Sequence, residues 1–200
     1  MKPGMVESEV AWALEVAIRT GGAEGKSFDF IVASGERGAL PHGKASDKRI
    51  AAGELITIDY GALYRGYCSD ETVTVCLGEP DSRQSEVYET VRLAQEMAIE
   101  AVRPGMSFRE LDAVARDHIA AKGFGQYFGH GLGHGVGIDI HEHPTVSPRS
   151  TTIIEEGMVF TIEPGIYIPG WGGVRIEDTV VAERDGCRRL TQVPKALLIV

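Results

Sequence analysis

Three segments of the chain place apolar residues three or four positions apart, which is the period of an amphipathic helix. Gly21-Gly22 ends the first segment, Pro104-Gly105 follows the second, and Ser107 stands where an N-cap of the third would lie. A loop-rich passage is expected over residues 33–43. We therefore predict helices over residues 6–20, 85–102 and 108–122.

Shorter apolar runs predict strands between and beyond these helices. The last part of the chain is expected to be rich in β-structure. The predicted strands cover residues 55–59, 70–77, 136–140, 159–163, 166–168 and 174–182.

The chain contains one pattern twice. Residues 57–61, Thr-Ile-Asp-Tyr-Gly, recur at 161–165 as Thr-Ile-Glu-Pro-Gly, and Pro3-Gly4-Met5 recurs as Pro104-Gly105-Met106. A period of about a hundred residues is too long for a solenoid, whose repeats are roughly 20–50 residues, and it fits two related half-domains. We expect one domain over residues 1–200, with half-repeats at about 1–80 and 81–200.

Each half carries two acidic residues at the ends of apolar strands. A reversal near Arg65-Gly66 in the first half and at Pro169-Gly170 in the second would set the two acids of each half opposite one another on one sheet face. Carboxylates this close repel one another unless a cation lies between them. We therefore interpret the four carboxylates as a metal site. Asp59 is paired with Asp70 in the first half, and Glu163 is paired with Glu177 in the second.

Five of the six histidines cluster in two places, which makes them candidate site residues. One place is Pro41-His42-Gly43, and the other begins with the glycine-rich tract 129–137 and continues to residue 143. The tract lacks Gly-x-Gly-x-x-Gly, so it does not indicate a dinucleotide site. Carboxylates with one imidazole suit Mn²⁺, Fe²⁺, Co²⁺ or Zn²⁺ rather than a thiolate site. The second group of histidines is His130, His134, His141 and His143.

The predicted secondary structure around three of the histidines suggests whether each is a site residue. If the intervening segment is an unbroken strand, His134 and His141 lie on opposite faces and should differ in role. His118 falls inside a predicted helix, so we expect it to be a surface or packed residue.

Charge and composition exclude several functional classes. The net charge of −9, without a cluster of Lys or Arg, argues against nucleic acid as a partner. No apolar run approaches the roughly 18 residues needed to span a bilayer, so no membrane association is expected. The amino terminus does not read as a signal peptide, and the three cysteines include no Cys-x-x-Cys. Both observations predict a cytoplasmic protein with reduced thiols.

The ordered Asp, Asp, His, Glu and Glu together resemble the pita-bread metallopeptidases, the family of methionine aminopeptidase, aminopeptidase P and prolidase. The resemblance covers nearly the whole chain. It implies an α+β pita-bread fold, a pseudo-two-fold repeat of helices packed on a curved antiparallel sheet. It also implies two divalent ions, Mn²⁺ in first place with Co²⁺, Zn²⁺ or Fe²⁺ as alternatives. Asp70 and Glu177 would bridge the ions, with Asp59 on one and His134 and Glu163 on the other.

The resemblance also implies catalytic roles. His42 matches the family's substrate-facing histidine, and His141 matches the one that contacts the scissile carbonyl. Glu163 would shuttle a proton to the leaving nitrogen while holding a metal.

Two further residues resemble the proline-specific branch of the family. His130 and Arg175 would bind and orient the substrate. Val73 and His143 depart from that branch, which commonly has arginine and glycine there.

The implied reaction is hydrolysis of the peptide bond in Xaa-Pro peptides or dipeptides by a water molecule that bridges the two ions. Three alternatives remain open: a methionine aminopeptidase, a creatinase-like hydrolase that works without metals, and a truncated binding module with weak or no catalysis. The partner would be a peptide with proline at its second position.

The internal repeat also indicates a missing element. By this comparison of the halves we expect the helix over residues 85–102 to have no counterpart in the first half. The resemblance also implies an N-terminal domain in proline-specific relatives, which we expect to be absent here. We expect exposed apolar sheet surface where that helix would pack, and hence a homodimer or low stability.

Overall fold

The computed structural model describes residues 1–200. Short 3₁₀ helices occupy Gly35–Ala39 and Gly125–Tyr127. The helices are α1 (Glu7–Thr20), α2 (Ser82–Ala101) and α3 (Phe108–Ala121). The strands are β1 (Gly25–Lys26), β2 (Ile31–Ser34), β3 (Leu55–Tyr60), β4 (Ala62–Tyr64), β5 (Tyr67–Cys68), β6 (Glu71–Cys76), β7 (Gly133–Gly135), β8 (Glu142–Val146), β9 (Val159–Ile162), β10 (Gly165–Ile168), β11 (Gly172–Arg175), β12 (Asp178–Glu183), β13 (Gly186–Arg189) and β14 (Leu198–Ile199).

The fold has two main sheets, which are mostly antiparallel. The first is built from strands of the first half together with the C-terminal strand β14, and the second is built from strands of the second half. The first has the strand order β14-β6-β3-β2, and the second has the order β13-β12-β9-β7-β8. Only β14 pairs in parallel, with β6. Smaller ribbons, β1-β4-β5 and β10-β11, extend from the two sheets. The arrangement confirms the predicted α+β class with antiparallel sheets.

Local capping interactions place the helices close to their predicted bounds. Ser107 caps α3, accepting a hydrogen bond from the Glu110 N–H at 3.2 Å. Asp81 caps α2 by accepting from the Gln84 N–H at 2.7 Å, so α2 begins earlier than predicted. Both ends are capping boxes, in which side chains satisfy N–H groups that the helix leaves unpaired.

The repeated Pro-Gly-Met turns are alike in three dimensions as well. The Gly4 N–H donates to the Ile50 carbonyl at 2.8 Å, and the Gly105 N–H donates to the Ile154 carbonyl at 2.9 Å. The helices that follow, α1 and α3, both contain 14 residues. The two halves therefore share the same turn followed by a helix of the same length.

The apolar core is divided unequally between the halves. A cluster of 25 buried residues, among them Val91, Leu111 and Phe160, joins α2 and α3 to the second sheet. A cluster of seven, including Val10 and Ile56, lies between α1 and the first sheet. The second half has the larger core because two helices cover its sheet.

The predicted strand over residues 136–140 is wrong. These residues form bends between β7 and β8, and Ile138 is 70% exposed. Their alternating apolar residues imitate a strand, but the backbone bonds locally, with the Gly137 N–H donating to the Asp139 carbonyl at 3.1 Å. The predicted strand over 174–182 is also divided, into β11 and β12, at Ile176-Glu177.

Exposed apolar side chains occur on α1 and also at the β14 edge of the first sheet, where Leu198 is 39% exposed and Ile199 is 52% exposed. The strands β2, β3 and β6 are almost wholly buried. On α1, Trp12 is 66% exposed and Val16 is 41% exposed. No helix combines the length and apolar character needed to cross a bilayer.

Candidate metal centre

A single cavity of about 520 Å³ lies where the two sheets meet, and every site residue predicted from the sequence lines it. Other lining groups include Tyr167, Arg149 and Phe28. The predicted residues are His42, Asp59, Asp70, His130, His134, His141, Glu163, Arg175 and Glu177.

The two acids of the first half are offset by two residues from the predicted register. Asp59 pairs with Thr72 in the β3–β6 ladder, so Asp70 lies beyond its end rather than opposite Asp59. Two left-handed residues, Arg65 and Gly66, form the turn and set this register. Asp70 and Thr72 still share a face by alternation, and therefore Asp70 faces the cavity beside Asp59.

The acids of the second half follow the predicted register. The β9–β12 ladder pairs Ile162 with Asp178, and the β10–β11 ladder pairs Gly165 with Arg175. Continuation of both ladders sets Glu163 opposite Glu177, at the break between them. The break frees both side chains from regular sheet packing and directs them into the cavity.

His134 stands among these carboxylates. Its Nε2 lies 3.3 Å from Glu163 Oε1 and 3.5 Å from Asp70 Oδ2. Its Nδ1 lies 3.0 Å from the Gly135 carbonyl oxygen, which can only accept, so Nδ1 carries the proton. This tautomer leaves the Nε2 lone pair facing the acids, as in histidines that ligate metals.

The residues present fit a divalent-cation site. Asp59 Oδ1 and Glu177 Oε1 are buried oxygens without a hydrogen-bond partner. Ligand atoms of Asp70, His134 and Glu177 lie within 4.8 Å of one another. Buried, unpartnered carboxylate oxygens are costly, and a bound cation compensates for that cost.

The pKa values point the same way. Burial, reinforced by the charges of Asp59 and Glu163, raises the pKa of Asp70 to about 9. Burial also raises the pKa of Glu163 to about 7, and burial with the neighbouring carboxylates raises the pKa of Glu177 well above its usual range. Burial lowers the pKa of His134 to about 4, so its imidazole is neutral and free to bind a metal.

Arg175 is buried and donates hydrogen bonds to three groups around the cavity. Its Nη2 donates to Asp59 Oδ2 at 2.6 Å, and its Nη1 donates to the Tyr167 hydroxyl at 2.9 Å and the Pro41 carbonyl at 3.1 Å. The guanidinium therefore links a candidate ligand to the loop that carries His42.

Tyr167 is a site residue that the sequence did not reveal. Its hydroxyl lies 2.9 Å from His130 Nε2, and His130 Nδ1 bonds the Gly131 carbonyl at 2.7 Å. Nδ1 therefore carries the imidazole proton, and Tyr167 donates to Nε2. Tyr167 alternates with isoleucines in β10, a pattern that indicates core packing, so no local signal marked it.

His42 and His141 are both exposed side chains at the cavity. The ring centroids of His141 and His134 are 4.3 Å apart, because the chain between them bends. The unbroken strand on which the expected placement on opposite faces depended is therefore absent. His118 lies on α3 and is not a cavity residue, as expected.

Known proteins resemble this chain over nearly its whole length. The model of metallopeptidase family M24 matches residues 1–184. The Xaa-Pro dipeptidase of Pyrococcus furiosus is 54% identical over 195 residues, which are 98% of this chain and 56% of that protein.

Two solved structures are also similar to this chain in both sequence and fold. An Xaa-Pro dipeptidase from Bacillus anthracis is 50% identical with a TM-score of 0.99, covering 100% of this chain and 56% of that one. An X-Pro aminopeptidase from Thermotoga maritima is 48% identical with a TM-score of 0.98, covering 100% of this chain and 57% of that one. The chain thus spans little more than half the length of these relatives.

Proposed function

Because the chain belongs to metallopeptidase family M24, we propose that it hydrolyses the peptide bond of Xaa-Pro peptides or dipeptides with two divalent metal ions. The observation that carries the proposal is the pair of buried, unpartnered oxygens, Asp59 Oδ1 and Glu177 Oε1, in a cavity that also holds three further candidate ligands. Mn²⁺ is the proposed ion, with Co²⁺, Zn²⁺ or Fe²⁺ as alternatives. The substrate would carry proline at its second position.

The proposed ligand set is Asp59, Asp70, His134, Glu163 and Glu177, with Asp70 and Glu177 shared between the ions. When bound, two such cations polarise the scissile carbonyl and make water acidic enough to attack at neutral pH. The protein holds these ligands through neighbours: Thr72 Oγ1 donates to Glu177 Oε2 at 2.7 Å, and Thr161 Oγ1 donates to Glu163 Oε1 at 3.1 Å.

Glu163 is the proposed proton carrier. Its carboxylate lines the cavity, with Oε1 3.3 Å from His134 Nε2, where it could accept a proton from water and donate it to a leaving nitrogen. The proton would pass from the attacking water to the leaving proline nitrogen.

The histidines of the cavity rim would orient the substrate. His141, whose ring lies 4.3 Å from that of His134, would donate a hydrogen bond to the carbonyl oxygen as negative charge develops there. His42 would contact the substrate from the opposite loop. Arg175 and His130 act with Tyr167, since the guanidinium and the imidazole both bond its hydroxyl. We propose that this chain of contacts shapes the substrate-binding wall.

A cleavage assay tests the proposal. The chelated protein is reloaded with Mn²⁺, Co²⁺ or Zn²⁺ and given an Xaa-Pro dipeptide, an Xaa-Pro-Yaa peptide and a Met-Ala peptide. We expect metal-dependent release of the residue before proline, with two ions bound per chain. Preferential cleavage of Met-Ala would favour the methionine aminopeptidase alternative. Two bound ions without turnover of any peptide would favour the binding-module alternative.

A further inference from the structure

A second pair of acids lies directly behind the candidate metal centre. Glu71 follows Asp70, and Asp178 follows Glu177, so alternation directs the second acids away from the cavity. Both are buried, at 8% and 1% exposure. The two positions are equivalent in the internal repeat. Each half therefore has one forward acid that faces the cavity, Asp70 or Glu177, and one rear acid on the opposite face, Glu71 or Asp178.

One lysine joins the two rear acids. Lys195 Nζ lies 2.6 Å from Glu71 Oε1 and 3.3 Å from Asp178 Oδ1. Its side chain is only 12% exposed, although it belongs to the irregular segment that follows β13. The ammonium group of Lys195 therefore connects β6 and β12, the two strands that begin directly after the forward acids.

The two rear acids depend on Lys195 to different degrees. Asp178 has other strong partners, since it accepts from Gln95 Nε2 at 2.7 Å and from Thr191 Oγ1 at 2.6 Å. Glu71 has one other side-chain contact, with the Tyr60 hydroxyl at 3.4 Å. Lys195 is thus the main partner of Glu71 and ties it to the already anchored Asp178.

The strands that carry these acids are also bonded to each other at the front. The Glu177 N–H donates to the Thr72 carbonyl at 3.1 Å, and Thr179 Oγ1 donates to the Asp70 carbonyl at 2.9 Å. A shift of either strand at the rear would therefore change the separation of the forward carboxylates.

We propose that Lys195 is a positioning residue, which sets the spacing of Asp70 and Glu177 by holding Glu71 and Asp178 together behind them. The inference rests on the proposed function, in which Asp70 and Glu177 are shared between two ions. Residues behind the ligands of metal sites typically change metal affinity by about 10- to 100-fold when they are replaced.

The charge of Lys195 makes the proposal easy to separate from simple electrostatics. Removal of a positive charge behind a cation site should, by Coulomb's law, tighten cation binding. Loss of carboxylate spacing should weaken it. The direction of the change therefore distinguishes the two effects.

The test compares Lys195→Met with Lys48→Met. Lys48 is a matched control because its Nζ also pairs with a carboxylate, Glu54, at 2.7 Å, without reaching the acids behind the cavity. Mn²⁺ binding is measured by calorimetry, and amide hydrogen exchange of Glu177 is measured in the metal-free proteins. We expect Lys195→Met to bind Mn²⁺ about 10- to 100-fold more weakly and to exchange the Glu177 amide faster. Lys48→Met should match the wild type in both.

Unchanged or tighter Mn²⁺ binding by Lys195→Met, with normal Glu177 exchange, would overturn the proposal even if its melting temperature fell. If Lys195→Met does not fold, Lys195→Gln replaces it, since its amide can still donate a hydrogen bond to one of the two rear acids. A smaller loss of Mn²⁺ affinity is then expected, and unchanged affinity would overturn the proposal. Failure of the wild type to bind two ions would refute the proposed function instead, and the hydrogen-exchange comparison would still decide the role of Lys195.

Discussion

The two halves of the molecule share the same turn and helix arrangement, but different interactions stabilise it in each half. At equivalent positions of α1 and α3 stand Glu7 and Phe108, both completely buried. The Phe108 ring packs edge-on against Phe160, with centroids 4.9 Å apart. Glu7 instead accepts hydrogen bonds from the Ser34 N–H at 2.8 Å and from Ser46 Oγ at 2.6 Å, and it pairs with Arg37.

This difference shows that symmetry in a site does not require symmetry in its support. Each half delivers two carboxylates to the cavity. The second half relies on a 25-residue apolar core, whereas the first combines a seven-residue core with the polar network of Glu7. Carboxylate positions are thus maintained by dispersion and burial on one side and by directional hydrogen bonds on the other.

The largest effects should come from truncating equivalent core residues. Ile154 and Ile50 are each 1% exposed. We expect Ile154→Ala to lower the free energy of unfolding by about 4 kcal/mol and Ile50→Ala by about 2 kcal/mol, because the thinner first core can collapse into the cavity left behind. Chemical denaturation measures both, with the two Ile→Val variants as milder controls. Equal losses would show that the halves are equally rigid.

Replacement of one forward acid in each half should affect both metal ions alike. We expect Asp70→Asn and Glu177→Gln to weaken Mn²⁺ binding by more than about 100-fold, or about 2.7 kcal/mol, because loss of a ligand exceeds the effect of losing a neighbour of a ligand. The metal-free variants should be no less stable than wild type, since each replaces a carboxyl group whose pKa the site raises and so removes the cost of ionising it there. Calorimetry and thermal melting check the two parts. A wild-type affinity in either variant would remove that residue from the ligand set.

The stability of the metal-free protein should fall as pH rises from about 7 to about 9. Burial and neighbouring carboxylates raise the pKa of Asp70 to about 9. A carboxyl group with a raised pKa keeps its proton in the folded state between about pH 4 and about pH 9, where the unfolded state has lost it, so stability falls as pH rises through this range. The histidines with lowered pKa values oppose this only below about pH 6.5.

The expected loss is about 1–2 kcal/mol across that window, measured by denaturation in chelator. Added Mn²⁺ should abolish it, and Asp70→Asn should flatten the profile. A metal-free protein whose stability increases over the same pH range would contradict the assignment.

The smallest effect should come from the exposed face of α1, where Trp12 has no counterpart of similar size on α3. We expect Trp12→Ser to change the free energy of unfolding by less than about 0.5 kcal/mol. If the predicted homodimer uses this face, the variant should sediment as a monomer at concentrations where the wild type associates. A wild-type protein that sediments only as a monomer would refute the dimer prediction.

Features that depend on neighbouring residues could be predicted from the sequence. The bounds of α1 and α3 follow from Gly21 and Ser107, and the second hairpin follows from the turn at Pro169-Gly170. The short strand β2 and the bends after β7 could not be predicted, because a strand exists only where a distant partner accepts its hydrogen bonds.

The sequence by itself singled out the four acids as candidate ligands, since a repeated acid after an alternating strand needs no distant information, and the family resemblance added His134. The tertiary structure decided how they meet. It offset Asp70 from Asp59, brought His141 beside His134, linked Arg175 to Tyr167, and placed Lys195 behind both halves. These contacts join residues far apart in the chain, and their geometry depends on how the two sheets pack.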